Sequence, residues 1–208
     1  MLPIDQFKEA WGRCDHLSVI HAFLSRNVAP VLRPDEILRA EWAARVSALD
    51  MYIHELVAQR MLAIFEGRIV RCPGFSSFSV PTETMERIRT AATPTDASAA
   101  FDLTVRDQLS RRTFQYPEDI ADGLRLCSGV ALWGEVALKL GATVQSKDNE
   151  AKRMKKELTQ IVARRNKIVH EGDMQPITPR APWPINQADV AFVTGFINSL
   201  VNAIDVVV

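Results

Sequence analysis

From Asp35 to Gly67 apolar residues recur at helical spacing: Leu38, Trp42, Val46, Leu49, Ile53, Leu56/Val57 and Ile64. Asp35 and Glu36 open the run, placing two anions at the positive end of a helix dipole. A helix of this length draws its stability from what packs along its apolar face rather than from propensity alone. The pattern therefore predicts a spine, with the remaining elements laid against it.

The rest of the chain reads as further helices. One is expected from about Ile4 to Ser25, with Phe7, Trp11, Leu17, Ile20 and Leu24 inward and Gly12 as a break. Asn27 to Pro34 reads as a turn. Arg68 to Pro81 reads as an irregular loop with two exposed phenylalanines, Phe75 and Phe78, and such loops can carry function. Short helices are expected over 82–92, from Pro94 to about Arg112 and near Glu118 to Gly123. Leu124 to Leu140 reads as a single apolar helix. The run Pro176, Pro179, Pro182, Trp183, Pro184 predicts an extended strap packed through Trp183, because proline forbids helix there. Asn186 is the expected cap of a last helix carrying Phe192, Phe196, Ile197, Leu200 and Ile204. No strand ladder, glycine-rich phosphate loop or internal repeat is present, so the expected class is all-α. At 208 residues, 47% of them hydrophobic and 24% charged, the chain has material for one domain with a substantial core and is not disordered.

Net charge is formally zero but unevenly spread. Lys139 to Arg180 carries ten Lys/Arg against five Asp/Glu, leaving fifteen against twenty elsewhere. Lys152, Arg153, Lys155, Lys156, Arg164, Arg165 and Lys167 form a basic run interrupted by one acid, Glu157. Such a helix suits a phosphate-bearing partner or, equally, a solvated outer face. Cys14, Cys72 and Cys127 fall in no metal or redox spacing and read as packing residues of a reducing compartment. The amino terminus lacks a basic and an apolar leader region, and the segment from Val190 is interrupted by Asn198, Asn202 and Asp205. A cytoplasmic protein without a membrane span is expected.

The chemistry concentrates in Arg164-Arg165-Asn166-Lys167-Ile168-Val169-His170-Glu171-Gly172-Asp173, at the end of a helix expected from Ser146. Met154, Leu158, Ile161, Val162, Ile168 and Val169 form its apolar stripe, and Arg165 falls inside that stripe. A guanidinium stays charged, so it enters a core only with a partner. Either it meets a carboxylate, with Glu41, Asp50 and Glu55 as candidates, or the stripe opens onto a cleft or another subunit. Asn166 and His170, four apart, lie within about 40° of each other on the helix. Arg165 is about 140° round from His170, but its long side chain can curl toward the same spot. Gly172 is a natural C′ residue, placing His170 in the final turn.

Arg165 to His170 resembles the Arg-x4-His signature of HEPN domains, all-α proteins (often RNases) of toxin–antitoxin and phage-defence systems. The long helix around Ser47-Ala48-Leu49-Asp50-Met51-Tyr52-Ile53-His54, the Leu132-Trp133 helix and the closing helix fit that likeness, which is most similar to the RiboL-PSP-HEPN group. It covers about residue 35 to the carboxyl end, within a single domain 1–208 in which 1–34 is an amino-terminal helical extension. The resemblance implies a HEPN-like bundle and a metal-independent endoribonuclease acting as a homodimer, with two motifs meeting at the interface. It needs no cofactor and its substrate is RNA; a cognate antitoxin or defence-system partner is also implied. Carried over residue by residue, Arg165 holds the scissile phosphate, Asn166 is the polar residue that commonly follows the arginine, and His170 is the catalytic histidine. Toxins of this family paired with nucleotidyltransferase antitoxins usually carry a tyrosine two residues past the histidine; here that position is Gly172.

RNA brings its own nucleophile, the 2′-OH, so cleavage needs a base for its proton, an acid for the 5′-oxygen and cations for the phosphorane. Histidine, with an unperturbed pKa of about 6.5, suits the proton work. Two His170 side chains across a two-fold interface supply base and acid together. Arg164 and Lys167 are candidate strand-steering residues. The competing expectation is a non-catalytic RNA- or protein-binding scaffold, with Arg165 bridging helices and His170 closing its own. Asp50 and His54, four apart, read as an ordinary helix-face pair rather than a metal site.

Overall fold

The computed structural model describes residues 1–29 and 32–208, whose regular secondary structure is helical apart from one isolated antiparallel bridge between Met174 and Pro182. The turn expected from Asn27 to Pro34 falls partly on residues 30 and 31, outside the described residues. In order come α1 (Pro3–Asn27), α2 (Asp35–Phe65), α3 (Pro73–Ser76), α4 (Thr82–Arg89), α5 (Pro94–Leu109), α6 (Pro117–Arg125), α7 (Leu132–Lys139), α8 (Lys147–Glu171) and α9 (Gln187–Val207).

α2 is the spine that its sequence predicts. It is 31 residues long, every apolar position of the expected stripe is buried, and α1, α5, α6, α8 and α9 all pack against it. α7 bridges α8 and α9, and α4 rests on α5. Arg106 of α5 clamps Glu55 of α2 with two hydrogen bonds, of 2.7 and 3.2 Å. Burial pushes the Glu55 carboxyl up, but bonding to Arg106 outweighs it and holds the group below the ordinary glutamate range.

Four expectations are corrected. α1 runs unbroken through Gly12, where a side chain would meet nothing within 4 Å. Its second half does not bury Ile20, which is 44% exposed along with Val19 and Phe23. The reason is a buried ion pair beneath it: Glu41 and Arg45 of α2, 2.7 Å apart, need polar partners. α1 supplies them, Ser18 donating to Glu41 and Asp15 accepting from Arg45. The expected helix 124–140 is two helices, because the chain turns at Leu126 to Ala131, where Ser128 Oγ accepts from the Val130 amide. Phe75 and Phe78 are not displayed for binding; both pack against Phe101 of α5. Cys14 and Cys127 are buried, and desolvation pushes the Cys127 thiol up to about 12, as befits a packing residue.

α9 begins with a reciprocal capping box between Asn186 and Asp189. Its length and apolarity suffice to cross a membrane, contrary to the expectation from Asn198, Asn202 and Asp205. In the fold it turns Val193, Ile197, Leu200, Val201 and Ile204 into the core against α2 and α7.

Candidate functional site

The motif stands at the carboxyl end of α8, and the way this helix stops shapes the site. Gly172 takes a left-handed φ of 65°, and its amide and that of Asp173 both turn back to the Lys167 carbonyl. Asp173 is also left-handed, at φ 55°, which tucks its side chain under the helix end, fully buried. There Oδ2 accepts from Arg39 Nε of α2 at 3.2 Å and from Arg164 Nη2 at 3.3 Å. The Asp173 carbonyl accepts from the Trp183 amide at 2.7 Å, so one residue joins helix end, spine and strap. Arg39 also donates to the Trp183 carbonyl, and Arg164 to the Pro184 carbonyl at 2.7 Å.

Arg164 is thereby committed to the fold: besides these bonds its guanidinium lies over the Trp42 ring, 5.0 Å from the centroid. Lys167, in contrast, is exposed and makes no hydrogen bond or ion pair among the described residues.

Arg165 has a different environment. Ile161 and Val162 are buried one turn before it, whereas Val169, one turn after it, is 49% exposed. Ile168, three residues on, still packs partly against the core, so the stripe opens beyond Arg165 on the Val169 side. None of the three expected carboxylates meets it. Glu41 is spent on Arg45 and Ser18, Glu55 on Arg106, and Asp50 on the Phe114 amide and the Gln115 side chain. Among the described residues Arg165 makes no ion pair, and its buried Nε has no hydrogen-bond partner. Its Nη1 instead donates to Asn166 Oδ1 at 3.0 Å, and Asn166 Nδ2 donates to the Tyr116 hydroxyl at 3.1 Å. The amide is thus held from both sides, and the guanidinium is drawn toward the Asn166 face of α8. His170 follows Asn166 by one turn; it is exposed and makes no hydrogen bond among the described residues.

Tyr116 and Asp173 are the residues that sequence reasoning passed over. Asp173 had a local signal, a carboxylate directly behind a helix-stopping glycine. Tyr116 had none, since it lies 50 residues from Asn166. It is positioned by Asp50, whose hold on residues 114 and 115 fixes the approach to α6. The Asp50–His54 pair, 3.6 Å apart, belongs to the same anchor, with the His54 ring against Phe114. Among the described residues no three His, Cys, Asp or Glu side chains gather as a metal-ligand set.

A half-buried cation steered by an amide, with an exposed imidazole one turn on and a further cation at Lys167, can bind a phosphate and exchange a proton beside it. No family model matches the chain, nor does any curated protein or solved structure.

Proposed function

We propose that the chain is a metal-independent endoribonuclease of HEPN type, acting on RNA as a homodimer. The observation that carries this reading is Arg165: partly buried where the apolar stripe opens, without a carboxylate partner among the described residues, and hydrogen-bonded to Asn166 on the side of the helix that holds His170. A cation left uncompensated in such a place costs desolvation energy, which a bound polyanion offsets. The likeness of Arg165 to His170 to the HEPN signature supports the same conclusion.

In this mechanism the 2′-oxygen attacks the adjacent phosphorus while a His170 imidazole takes its proton. The phosphorus–O5′ bond breaks, and the leaving oxygen receives a proton from His170 of a second copy of the chain. The products are a 2′,3′-cyclic phosphate and a 5′-hydroxyl. Arg165 neutralises charge on the non-bridging oxygens as the phosphorane forms. Lys167 steers the strand, whereas Arg164 serves the site through Asp173 and the strap. In the cell such an activity fits a cytoplasmic toxin or effector of phage defence, restrained by an antitoxin or sensor.

The second reading, a non-catalytic RNA- or protein-binding scaffold, is favoured by one observation: among the described residues no hydrogen bond or ion pair orients the exposed His170 imidazole. The deciding experiment is cleavage of unmodified RNA in EDTA by the wild type, His170→Ala and Arg165→Ala. The nuclease reading expects cleavage by the wild type, with each variant slower by roughly two orders of magnitude or more. Binding without cleavage by the wild type establishes the scaffold; undiminished cleavage by His170→Ala removes that residue from the chemistry.

A further inference from the structure

We infer that the groove between α8 and the strap is a stacking subsite for one unpaired nucleobase of the RNA strand. This rests on the RNA reading above and assigns a residue outside the motif to substrate binding. The groove has a volume of about 280 Å³ and is lined by Gln160, Ala163, Arg164, Lys167, Trp183 and Pro184, with Asp173 also contributing. Its size lies just below the range of about 300–1,000 Å³ typical of pockets for drug-sized ligands, which suits one flat ring and excludes a helix.

Three features give the groove its chemistry. Trp183 was expected to pin the strap, yet the residue is 41% exposed, and the strap is pinned by backbone instead, through the Trp183 amide and carbonyl. The indole is therefore spare, on a rigid support. Trp11 and the buried Trp42 and Trp133 pack against the core, so Trp183 is the exposed tryptophan among the four. Lys167 lines the groove, exposed and without a partner among the described residues, placed for the phosphate of a stacked nucleotide. Beneath, two buried polar atoms, Asp173 Oδ1 and Arg164 Nε, have no hydrogen-bond partner among the described residues, so unused hydrogen-bonding capacity borders the groove. A π-face beside a cation is how proteins hold single-stranded RNA, and such stacking tolerates any base. Lys167 and His170 are three apart on α8 and so are neighbours on one side of the helix, which leads a strand seated here toward the histidine of the motif.

The test uses a short 2′-O-methyl oligoribonucleotide, which keeps the RNA backbone and lacks the 2′ nucleophile, titrated into the full chain while tryptophan emission is followed. Saturable quenching is expected. Trp183→Ala should abolish most of the quenching and weaken binding roughly tenfold, and Trp183→Phe should restore affinity. Lys167→Ala should weaken binding less and make it less sensitive to salt. Far-UV circular dichroism checks that each variant folds. Absence of saturable quenching, or equal affinity of Trp183→Ala and wild type, overturns the subsite. Cleavage of unmodified RNA is scored separately: cleavage without quenching removes the subsite and keeps the nuclease, and quenching without cleavage does the reverse.

Discussion

The Tyr116 hydroxyl accepts a hydrogen bond from Asn166, and the proton it carries has no acceptor among the described residues. The bond it accepts fixes which way the Asn166 amide faces, and so which atom meets Arg165. Tyr116→Phe should cost about 1 kcal/mol of stability or less, since one partly exposed hydrogen bond is lost. RNA cleavage should nevertheless fall, by roughly tenfold, because the guanidinium loses its fixed partner. A phenylalanine variant that cleaves at the wild-type rate would show that Arg165 needs no such guide. At this scale the sequence was half informative. It marked Arg165 as anomalous, because a permanent charge on an apolar stripe conflicts with burial wherever the chain runs. It could not say that the partner would be a neighbouring amide and a distant tyrosine, because those contacts come from tertiary packing.

Among the elements, α2 and the end of α8 were legible because each is set by local rules, apolar spacing in one and a left-handed glycine in the other. Breaks that depend on neighbours were not. Gly12 and Gly74 make the contrast measurable. A Cβ on Gly12 meets nothing within 4 Å, so Gly12→Ala should stabilise the chain by about 0.5–1 kcal/mol through helix propensity. A Cβ on Gly74 falls 1.9 Å from the Arg125 carbonyl oxygen, backbone that cannot swing aside. Gly74→Ala must separate α3 from the end of α6 and should destabilise by about 2 kcal/mol or more. Denaturant midpoints read both shifts, and equal midpoints for the two variants would contradict the packing described here. The split between α6 and α7 belongs with Gly74, since the turn that follows Arg125 ends one helix and starts the next in a new direction.

For the whole molecule, the all-α class and a single continuous core around α2 follow from the sequence pattern, while the assembly depends on the proposed chemistry. One chain offers one exposed His170, and acid and base must act on opposite ends of the same phosphodiester. Activity per chain should therefore fall on dilution, in step with dissociation of a dimer followed by light scattering. Full activity from a monomer would require a second proton carrier within one chain and would remove His170 of a second copy from the mechanism.

The strap is tethered by its main chain: the carbonyls of Trp183 and Pro184 receive Arg39 and Arg164, and the Trp183 amide reaches the Asp173 carbonyl. An attachment of that kind is indifferent to which side chains the segment displays. The outward face of residues 176–184 can drift through evolution while its position over α8 holds still, so a lineage could retune what it grips without rebuilding the bundle underneath.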